Sequence, residues 1–499
     1  MLKKSKKYAI IFIMVEKCEN YKERRTDMLF TSPLFMFLFL PISMCVYALV
    51  GKRRRRICLS IIFVAFYLLL NLRSPLNLIY LPCLIAYSYL AMKLLRIKRS
   101  ALLCAILCIV PYLALFTVRG IAYFGNDGFI YPIGSTVAVL FSTSYIITQY
   151  RQKNKELGSF LDLALYILFF PVMIVGPIVR YEDFLRISNE DAICFDKANV
   201  ASGIRLFCIG IIKRVAVGAV LYEMYDVFFG LFYDTPNLLV TVFILVTVYF
   251  ATFFTIAGYI DIGVGLAKMY GLSFETYVVA DPFRAATFSV YFGNLFTGLS
   301  LWIDDYLVHP MISRVEKNKK RLPSFIRAVC YGVVSILFIR STPAMIALSV
   351  PVVMFFYLAF RFRLDERLAN RTGLRTLMTL VTMFSVAIVW VFIILGDPRL
   401  IVNYIGDMTG ENSEYRMDQI LSIFSGMKYI FVMIIAGLSM WVSRIEAYMR
   451  APELSEKKAY PMTQYISFLL ILVMFSFTVV FFLPQFEIYD YIPFLYLFI

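Results

Sequence analysis

The chain is poor in the residues that soluble and metal-binding proteins use. Only 16% of its 499 residues are charged, against about a quarter in soluble globular domains. It has a single histidine, His309, and nine cysteines, none of them in a Cys-x-x-Cys spacing. The scarcity of charge excludes a soluble domain of useful size. The scattered cysteines indicate neither a disulfide framework nor a zinc site, so we expect no bound metal.

Long apolar stretches take the place of the missing charge. Hydrophobic residues make up 61% of the chain, and the mean hydropathy is +0.77. Runs of about 17–25 apolar residues are long enough to cross a bilayer as helices. They predict an all-α polytopic membrane protein with roughly 11–13 transmembrane or re-entrant helices. The candidate segments are 29–50, 57–72, 76–92, 100–118, 129–149, 204–222, 237–257, 323–339, 342–360, 373–396, 420–444 and 463–484.

The net charge of +16 does not indicate nucleic acid as a partner, because the basic residues cluster in short loops beside apolar runs. That pattern follows the positive-inside rule and makes the lipid bilayer the expected environment. The strongest basic cluster, Lys52–Arg56, is predicted to be cytoplasmic. The loops Lys93–Arg99 and Arg151–Lys155 follow at intervals of two helices. We therefore predict a multi-pass protein of the bacterial cytoplasmic (inner) membrane.

This topology conflicts with the first residues of the chain. It places the basic residues of segment 1–27 outside the cell, and the apolar run Tyr8–Val15 is too short to span a bilayer. No small-residue cleavage site follows that run, which argues against a signal peptide. Our hypothesis is that residues 1–27 are an untranslated extension and that translation begins at Met28. Residues 28–499 are then predicted to form one integral membrane domain.

Several sequence blocks resemble the membrane-bound O-acyltransferase (MBOAT) family. The most specific is Gly176-Pro177-Ile178-Val179-Arg180-Tyr181, and a second is the run Ser300–Leu307, which contains Trp302, Asp305 and Tyr306. The matching blocks occur in order along the chain, at residues 132–151, 160–181, 203–214, 258–271, 300–307 and 390–392. The resemblance covers nearly all of the chain from Met28 onward. It is strongest to the bacterial alginate-acetylation type.

This resemblance implies a fold and a chemistry. The fold would be a helical bundle around a central tunnel. The reaction would move an acyl group, here expected to be acetyl, from a thioester donor such as acetyl-CoA to a hydroxyl of a cell-surface polysaccharide. No cofactor is expected to remain bound. The resemblance also implies an extracytoplasmic, esterase-like acyltransferase as a partner.

The residues that the family uses as base are missing. When the Ser300–Leu307 run is aligned, the family's first histidine falls on Phe296, and its Trp-Arg-Arg falls on Phe292–Asn294. The second, catalytic histidine falls on Arg340 or Ser341. A hydroxyl is a poor nucleophile until a base removes its proton, and histidine suits that task at neutral pH. The sequence therefore keeps the scaffold of the motif and replaces its polar side.

Four other residues are candidates for the missing catalytic role. Ser341 needs a base beside it to act as a nucleophile, and none is near in sequence. His309 would lie about 20 Å from Phe296 on a continuous helix, which favours an interfacial histidine. A buried carboxylate with a raised pKa can act as a base. That makes Asp304 and Asp305 candidates, although Asp305 is equally suited to a structural or donor-binding role.

The expected tunnel is assigned to residues in or beside these blocks. Gly176-Pro177 interrupts an apolar segment and predicts the tip of a re-entrant hairpin, with an ordinary helix kink as the alternative. Asp261 lies among apolar residues, where a carboxylate normally faces a cavity or pairs with a base. Its possible partners include Arg284, Lys268 and Arg205. The proposed tunnel residues are Gly176, Pro177, Arg180, Tyr259, Asp261, Trp302 and Tyr306.

Three functions remain open. In the first, the protein serves O-acylation of a polysaccharide with altered catalytic residues. In the second, it is a catalytically inactive MBOAT-fold scaffold or tunnel for a partner acyltransferase. In the third, it transports envelope glycan intermediates, although no inverted repeat is visible and the ordered family blocks argue against it. The sequence does not decide whether the chain is an enzyme.

Overall fold

The structure is a computed structural model, and most of the residues that it describes are helical. The described residues are 29–72, 75–124, 134–152, 158–189, 192–234, 238–274, 277, 279–312, 321–337, 352–354, 356–360, 372–395, 429–430, 432–434 and 460–482. They contain no strand. The predicted extension 1–27 and the alternative catalytic positions Arg340 and Ser341 lie outside these residues.

Among the described residues, four helices are long and apolar enough to cross a membrane: Leu78–Ile97, Ala101–Val118, Leu238–Met269 and Gly373–Ile394. This confirms the predicted all-α polytopic membrane protein. The first five helices are α1 (Leu40–Leu49), α2 (Arg55–Asn71), α3 (Pro75–Ile97), α4 (Ala101–Phe124) and α5 (Ser135–Arg151). Next come α6 (Phe160–Ile167), α7 (Phe170–Met173), α8 (Tyr181–Ser188), α9 (Lys197–Ile211), α10 (Val220–Asp234) and α11 (Leu238–Met269). The last are α12 (Phe288–Leu295), α13 (Thr297–Ile303), α14 (His309–Ile312), α15 (Arg321–Leu337), α16 (Thr372–Leu395) and α17 (Tyr460–Phe477).

Helix α11 is the central element, since most of its 32 residues are buried. It packs against α9 through glycines on both helices. A Cβ on Gly210 would lie 2.7 Å from the carbonyl oxygen of Gly258, and a Cβ on Gly265 would lie 2.8 Å from that of Gly203. Small residues let two helix backbones approach this closely inside a membrane, where packing rather than hydrophobicity drives association.

A wide helical turn lies between α9 and α10. Residues Ile212–Ala219 form a π-helix that continues the axis of α9 into α10. The predicted span 204–222 is therefore too short, because one helical run extends over residues 197–234. A π-helix inserts an extra residue and rotates the side chains that follow it, and such turns occur often at functional sites. Lys213 and Arg214 lie in this turn.

A group of phenylalanine rings packs the N-terminal helices against the centre of the molecule. Phe66 of α2 and Phe170 of α7 have ring centroids 4.7 Å apart. The rings of Phe30 and Phe35 pack against both of them at 5.7–6.4 Å between centroids. These phenylalanines are almost fully buried. They hold the short helix α7, and the chain segment that follows it, in place for the contacts described next.

Candidate functional site

Asp305 joins three chain segments at one face of the bundle. Arg151, at the end of α5, places a guanidinium nitrogen 3.1 Å from the carboxylate of Asp305 and donates to its backbone carbonyl at 2.5 Å. Arg180 approaches the other carboxylate oxygen at 3.6 Å. These three residues come from three separate family-like blocks. The face is the one that the basic loops predict to be cytoplasmic.

Aromatic residues hold the Trp302–Tyr306 motif in place. Tyr306 shares a hydrogen bond of 3.0 Å with Thr148, and the guanidinium of Arg151 lies 5.1 Å from its ring centroid. Trp302 is fully buried, with its ring centroid 5.4 Å from that of Tyr306. Asp304–Val308 forms a second π-helix, which turns the adjacent carboxylates toward different helices.

The Gly176-Pro177 block lies on a re-entrant segment, as the helix break predicts. The segment begins at α6, where Asp162 pairs with Arg56, and it returns to the same face at Arg180. Between these ends the hydroxyl of Tyr166 donates to the carbonyl of Val179 at 2.5 Å, which ties the two arms together. Gly176 lies on the returning arm, just after the turn at residues 174–175, rather than at the tip.

Two glycines of neighbouring helices make room for this returning arm. A Cβ on Gly263 of α11 would lie 3.6 Å from the Cα of Gly176, and one on Gly298 of α13 would lie 2.9 Å from the backbone of Ile178. The segment is mostly buried, and its backbone is satisfied from within the protein: the N–H of Tyr181 donates to the hydroxyl of Ser144 at 3.2 Å. Irregular backbone inside a membrane protein requires such partners.

Arg180 also belongs to a second ionic group. Its guanidinium lies 2.7 Å from Asp183, and Asp183 accepts a hydrogen bond of 2.5 Å from the hydroxyl of Tyr277. Arg186 pairs with the same carboxylate. Burial, followed by the hydrogen bond to Asp183, raises the pKa of Tyr277 above its usual value. The phenol therefore stays protonated and remains a donor at neutral pH.

Asp261 is buried and paired with a base of the π-turn. Its carboxylate is 2.7 Å from the ammonium of Lys213, and its side chain is only 5% exposed. Lys213 is not among the partners expected from the sequence, which are Arg284, Lys268 and Arg205. The next residue, Arg214, is fully buried and lies 5.2 Å from the ring centroid of Tyr259. The π-turn thus presents two cations to α11.

The surroundings of Phe296, where the family places its first histidine, are apolar. Phe296 lies at the break between α12 and α13, and its ring centroid is 5.1 Å from that of Phe292. Phe292 in turn packs against Tyr331 at 5.9 Å and Phe356 at 5.4 Å. We call Phe292, Phe296, Tyr331 and Phe356 the aromatic cluster. It offers no group with a pKa suited to general-base catalysis at Phe296.

The other candidates of the motif have separate surroundings. Asp304 faces α15, where Arg327 lies 3.3 Å from its carboxylate, so it turns away from the partners of Asp305. His309 is exposed at the start of α14. In the described ranges, no three His, Cys, Asp or Glu side chains are grouped as metal ligands. The structure therefore brings Arg180, Trp302, Asp305 and Tyr306 together, and places Asp304 and His309 elsewhere.

Comparison with known proteins supports the family resemblance that the sequence blocks indicate. The chain is 29% identical over 302 residues to a probable alginate O-acetylase of Pseudomonas syringae pv. tomato, covering 56% of this chain and 57% of the relative. It is 28% identical over 302 residues to a probable alginate O-acetylase of Pseudomonas aeruginosa, covering 56% of each. This similarity confirms the resemblance to the membrane-bound O-acyltransferases. The match spans somewhat more than half the length of these relatives.

A relative with a different acceptor in its name also matches. A peptidoglycan O-acetyltransferase of Helicobacter pylori is 23% identical over 337 residues, covering 57% of this chain and 62% of the relative. No family model matches the chain. The names of these relatives share O-acetylation, whereas the polymers in the names, alginate and peptidoglycan, differ.

Sequence reasoning missed several residues of this region. Sequence reasoning places Arg151 only in a basic loop and a family-like block and assigns no role to Arg327, although each pairs with an aspartate of the motif. Lys213 and Arg214 were noted only as part of a block. Their signal is two adjacent cations within an otherwise apolar run, which in a membrane protein predicts buried partners.

Proposed function

We propose that this protein is a membrane component of the O-acetylation of a cell-surface polysaccharide. The observation that carries the proposal is the contact of Asp305 with both Arg151 and Arg180. It joins three family-like blocks around the re-entrant segment. The similarity to alginate and peptidoglycan O-acetylating proteins supports the same reaction class.

The chemistry follows from that reaction class. An acyl thioester such as acetyl-CoA would supply the acetyl group from the cytoplasm, across the bacterial inner membrane. A hydroxyl of the polysaccharide would receive it, either directly or through an extracytoplasmic esterase-like acyltransferase. The described residues would hold the re-entrant segment in place and shape the path of the acetyl group across the membrane. The catalytic base remains unassigned, because Phe296 stands where the family places its first histidine.

A second candidate function is a catalytically inactive scaffold or tunnel for a partner acyltransferase. The observation that favours it is the aromatic cluster. The ring of Phe296 packs against that of Phe292 at 5.1 Å, so the altered position is filled by stacked rings. A phenyl ring cannot take the proton of a hydroxyl acceptor. In this function the fold would be kept while the proton transfer takes place elsewhere.

The proposal is tested by alkali-releasable acetate on envelope polysaccharide. Wild-type cells, a clean deletion, and a deletion complemented from Met28 and from Met1 are compared. We expect acetate to fall on deletion and to return on complementation. Unchanged acetate in the deletion would overturn the proposal.

A separate assay distinguishes the enzyme from the scaffold. The purified full-length protein is incubated with acetyl-CoA and a short oligomannuronate, with and without membranes of the deletion strain. Acetylation by the purified protein alone identifies an enzyme. Acetylation that needs the deletion-strain membranes, together with no cleavage of the acetyl-CoA thioester by the purified protein alone, identifies the scaffold.

A further inference from the structure

Residues 279–287 run through the middle of the molecule without forming a helix. Phe283 in this segment has its ring centroid 4.4 Å from that of Phe253 and 5.9 Å from that of Phe250. Phe253 is at the midpoint of α11, the 32-residue helix Leu238–Met269. The segment therefore lies against the middle of the longest span, far from both ends of that helix.

Charged residues of this segment are nevertheless exposed. The side chain of Arg284 is 49% exposed and that of Asp281 is 26% exposed, with 3.7 Å between their charged atoms. Charged groups at mid-span almost always face the bundle interior or a water-filled cavity. Irregular backbone at this level is also tolerated only inside protein or along such a cavity. The accessible surface of Arg284 therefore indicates a water-filled cavity beside residues 281–284, whereas Phe283 and Ala285 of the same segment are buried inside the protein.

Uncharged polar groups continue the wall of this cavity toward α12. The side-chain amide of Asn294 donates to the carbonyl of Asp281 at 2.6 Å, and the backbone N–H of Ala280 donates to the carbonyl of Asn294 at 2.9 Å. Thr297 follows, with its hydroxyl 3.2 Å from the same carbonyl. Phe296, where the family's histidine is missing, stands between Asn294 and Thr297 in sequence.

A tyrosine completes this polar region. The ring centroid of Tyr249 lies 6.3 Å from that of Phe283. Its buried hydroxyl has no hydrogen-bond partner within the part of the chain that the structure describes. A buried polar atom without a partner is costly unless water or a ligand satisfies it. The hydroxyl is therefore available to a ligand that brings hydrogen-bonding groups of its own.

We propose that Asp281, Arg284 and Asn294 form a subsite for a hydroxyl-rich saccharide, the acceptor in the proposed function on which this inference rests. A carboxylate, a guanidinium and an amide together supply donors and acceptors for vicinal hydroxyls. The subsite lies beside the missing base, where an acceptor hydroxyl would have to arrive.

Thiol labelling tests the cavity and its opening. Arg284→Cys is expressed in the full-length chain, and sealed right-side-out vesicles are treated with an impermeant cationic thiosulfonate. Peptide mass spectrometry then reads the modification at residue 284. Arg96→Cys, exposed at the predicted cytoplasmic end of α3, is the matched control. We expect Arg284→Cys to be modified and Arg96→Cys to be spared. Modification of Arg284→Cys only from the cytoplasmic side, or from neither side, would overturn the proposal.

Saccharide binding tests the ligand class. The purified protein is titrated with a short oligomannuronate and with a neutral malto-oligosaccharide, for wild type, Asp281→Asn, Asn294→Ala and the exposed control Asn189→Ala. We expect Asp281→Asn and Asn294→Ala to weaken binding of at least one saccharide about tenfold, because a lost hydrogen bond to a ligand costs on the order of 1 kcal/mol. Asn189→Ala should bind as wild type.

Saccharide affinity that is equal in all four proteins, or absent from the wild type, contradicts the subsite. Acetyl-CoA binding that competes with thiol labelling at residue 284 would assign the cavity to the donor and would also overturn it. Neither experiment requires acetyl transfer. Their failure is therefore distinguishable from failure of the proposed function, which the acetate measurement decides separately.

Discussion

Arg180 lies 3.6 Å from Asp305, although the two residues belong to different blocks of the sequence. Arg180 ends the returning arm of the re-entrant segment, and Asp305 is the second residue of the π-helix Asp304–Val308. Their contact holds the end of the returning arm, which packs against Gly263 and Gly298. The ion pair thus links the two most specific family-like motifs of the chain.

Removing the carboxylate of Asp305 should destabilise this face of the bundle. We expect Asp305→Asn to lose about 1–3 kcal/mol of stability, because two arginines then lose a charged hydrogen-bond partner. The lowered thermal unfolding midpoint of the purified protein in detergent measures the effect. Asp304→Asn is the control, since Asp304 faces α15 and pairs with the more exposed Arg327. Equal losses of stability in the two variants would contradict the ion pairs assigned to Asp305.

The glycine contacts between α9 and α11 should not tolerate side chains. Gly258→Val places atoms where the backbone of Gly210 lies at 2.8 Å, so we expect a loss of about 1–3 kcal/mol or more, or failure to fold. Gly230→Ala is the control, because nothing lies within 4 Å of its Cβ position. The yield of monodisperse protein from detergent extracts reports the outcome. A Gly258→Val protein with the yield of wild type would show that the two helices are not packed this closely.

The Lys213–Asp261 pair should show strong coupling. Asp261→Leu leaves the ammonium of Lys213 without this partner beside a buried helix, which costs about 3–5 kcal/mol for a buried pair. The double variant Lys213→Met/Asp261→Leu removes both charges and should recover most of that loss. A double-mutant cycle on unfolding midpoints measures the coupling. Additive losses would mean that the two side chains do not interact.

The aromatic cluster should contribute stability rather than proton transfer. Phe292→Ala removes contacts with Phe296, Tyr331 and Phe356, and we expect a loss of about 3–5 kcal/mol from the resulting cavity. Phe325→Ala is the control, because Phe325 is 52% exposed. Comparing unfolding midpoints of the two variants checks this. A loss no larger than that of the control would contradict tight packing around Phe296.

The sequence predicts the class of fold well, because membrane helices are specified by apolar length and flanking charge. It also predicts the break at Gly176-Pro177, since proline and glycine interrupt helices for local reasons. The motif Trp302–Tyr306 is recognisable because its residues are neighbours in the sequence. These features depend on residues that are close together in the chain.

Features that depend on distant residues were not predictable. Arg151 and Asp305 are 154 positions apart, so their pairing follows from the fold rather than from spacing. The π-turn at Ile212–Ala219 packs against α11 and brings Lys213 to Asp261. The cavity beside Arg284 likewise depends on where an irregular segment passes a helix midpoint. The sequence alone gave Arg284 only as a possible ion-pair partner.

The most direct measurement is the acetate content of envelope polysaccharide in a deletion strain that carries either the wild-type chain or Asp305→Asn at equal protein abundance. The account predicts that deletion lowers acetate, that the wild-type chain restores it, and that Asp305→Asn restores it only in part. Acetate that is unchanged by the deletion itself would contradict the account.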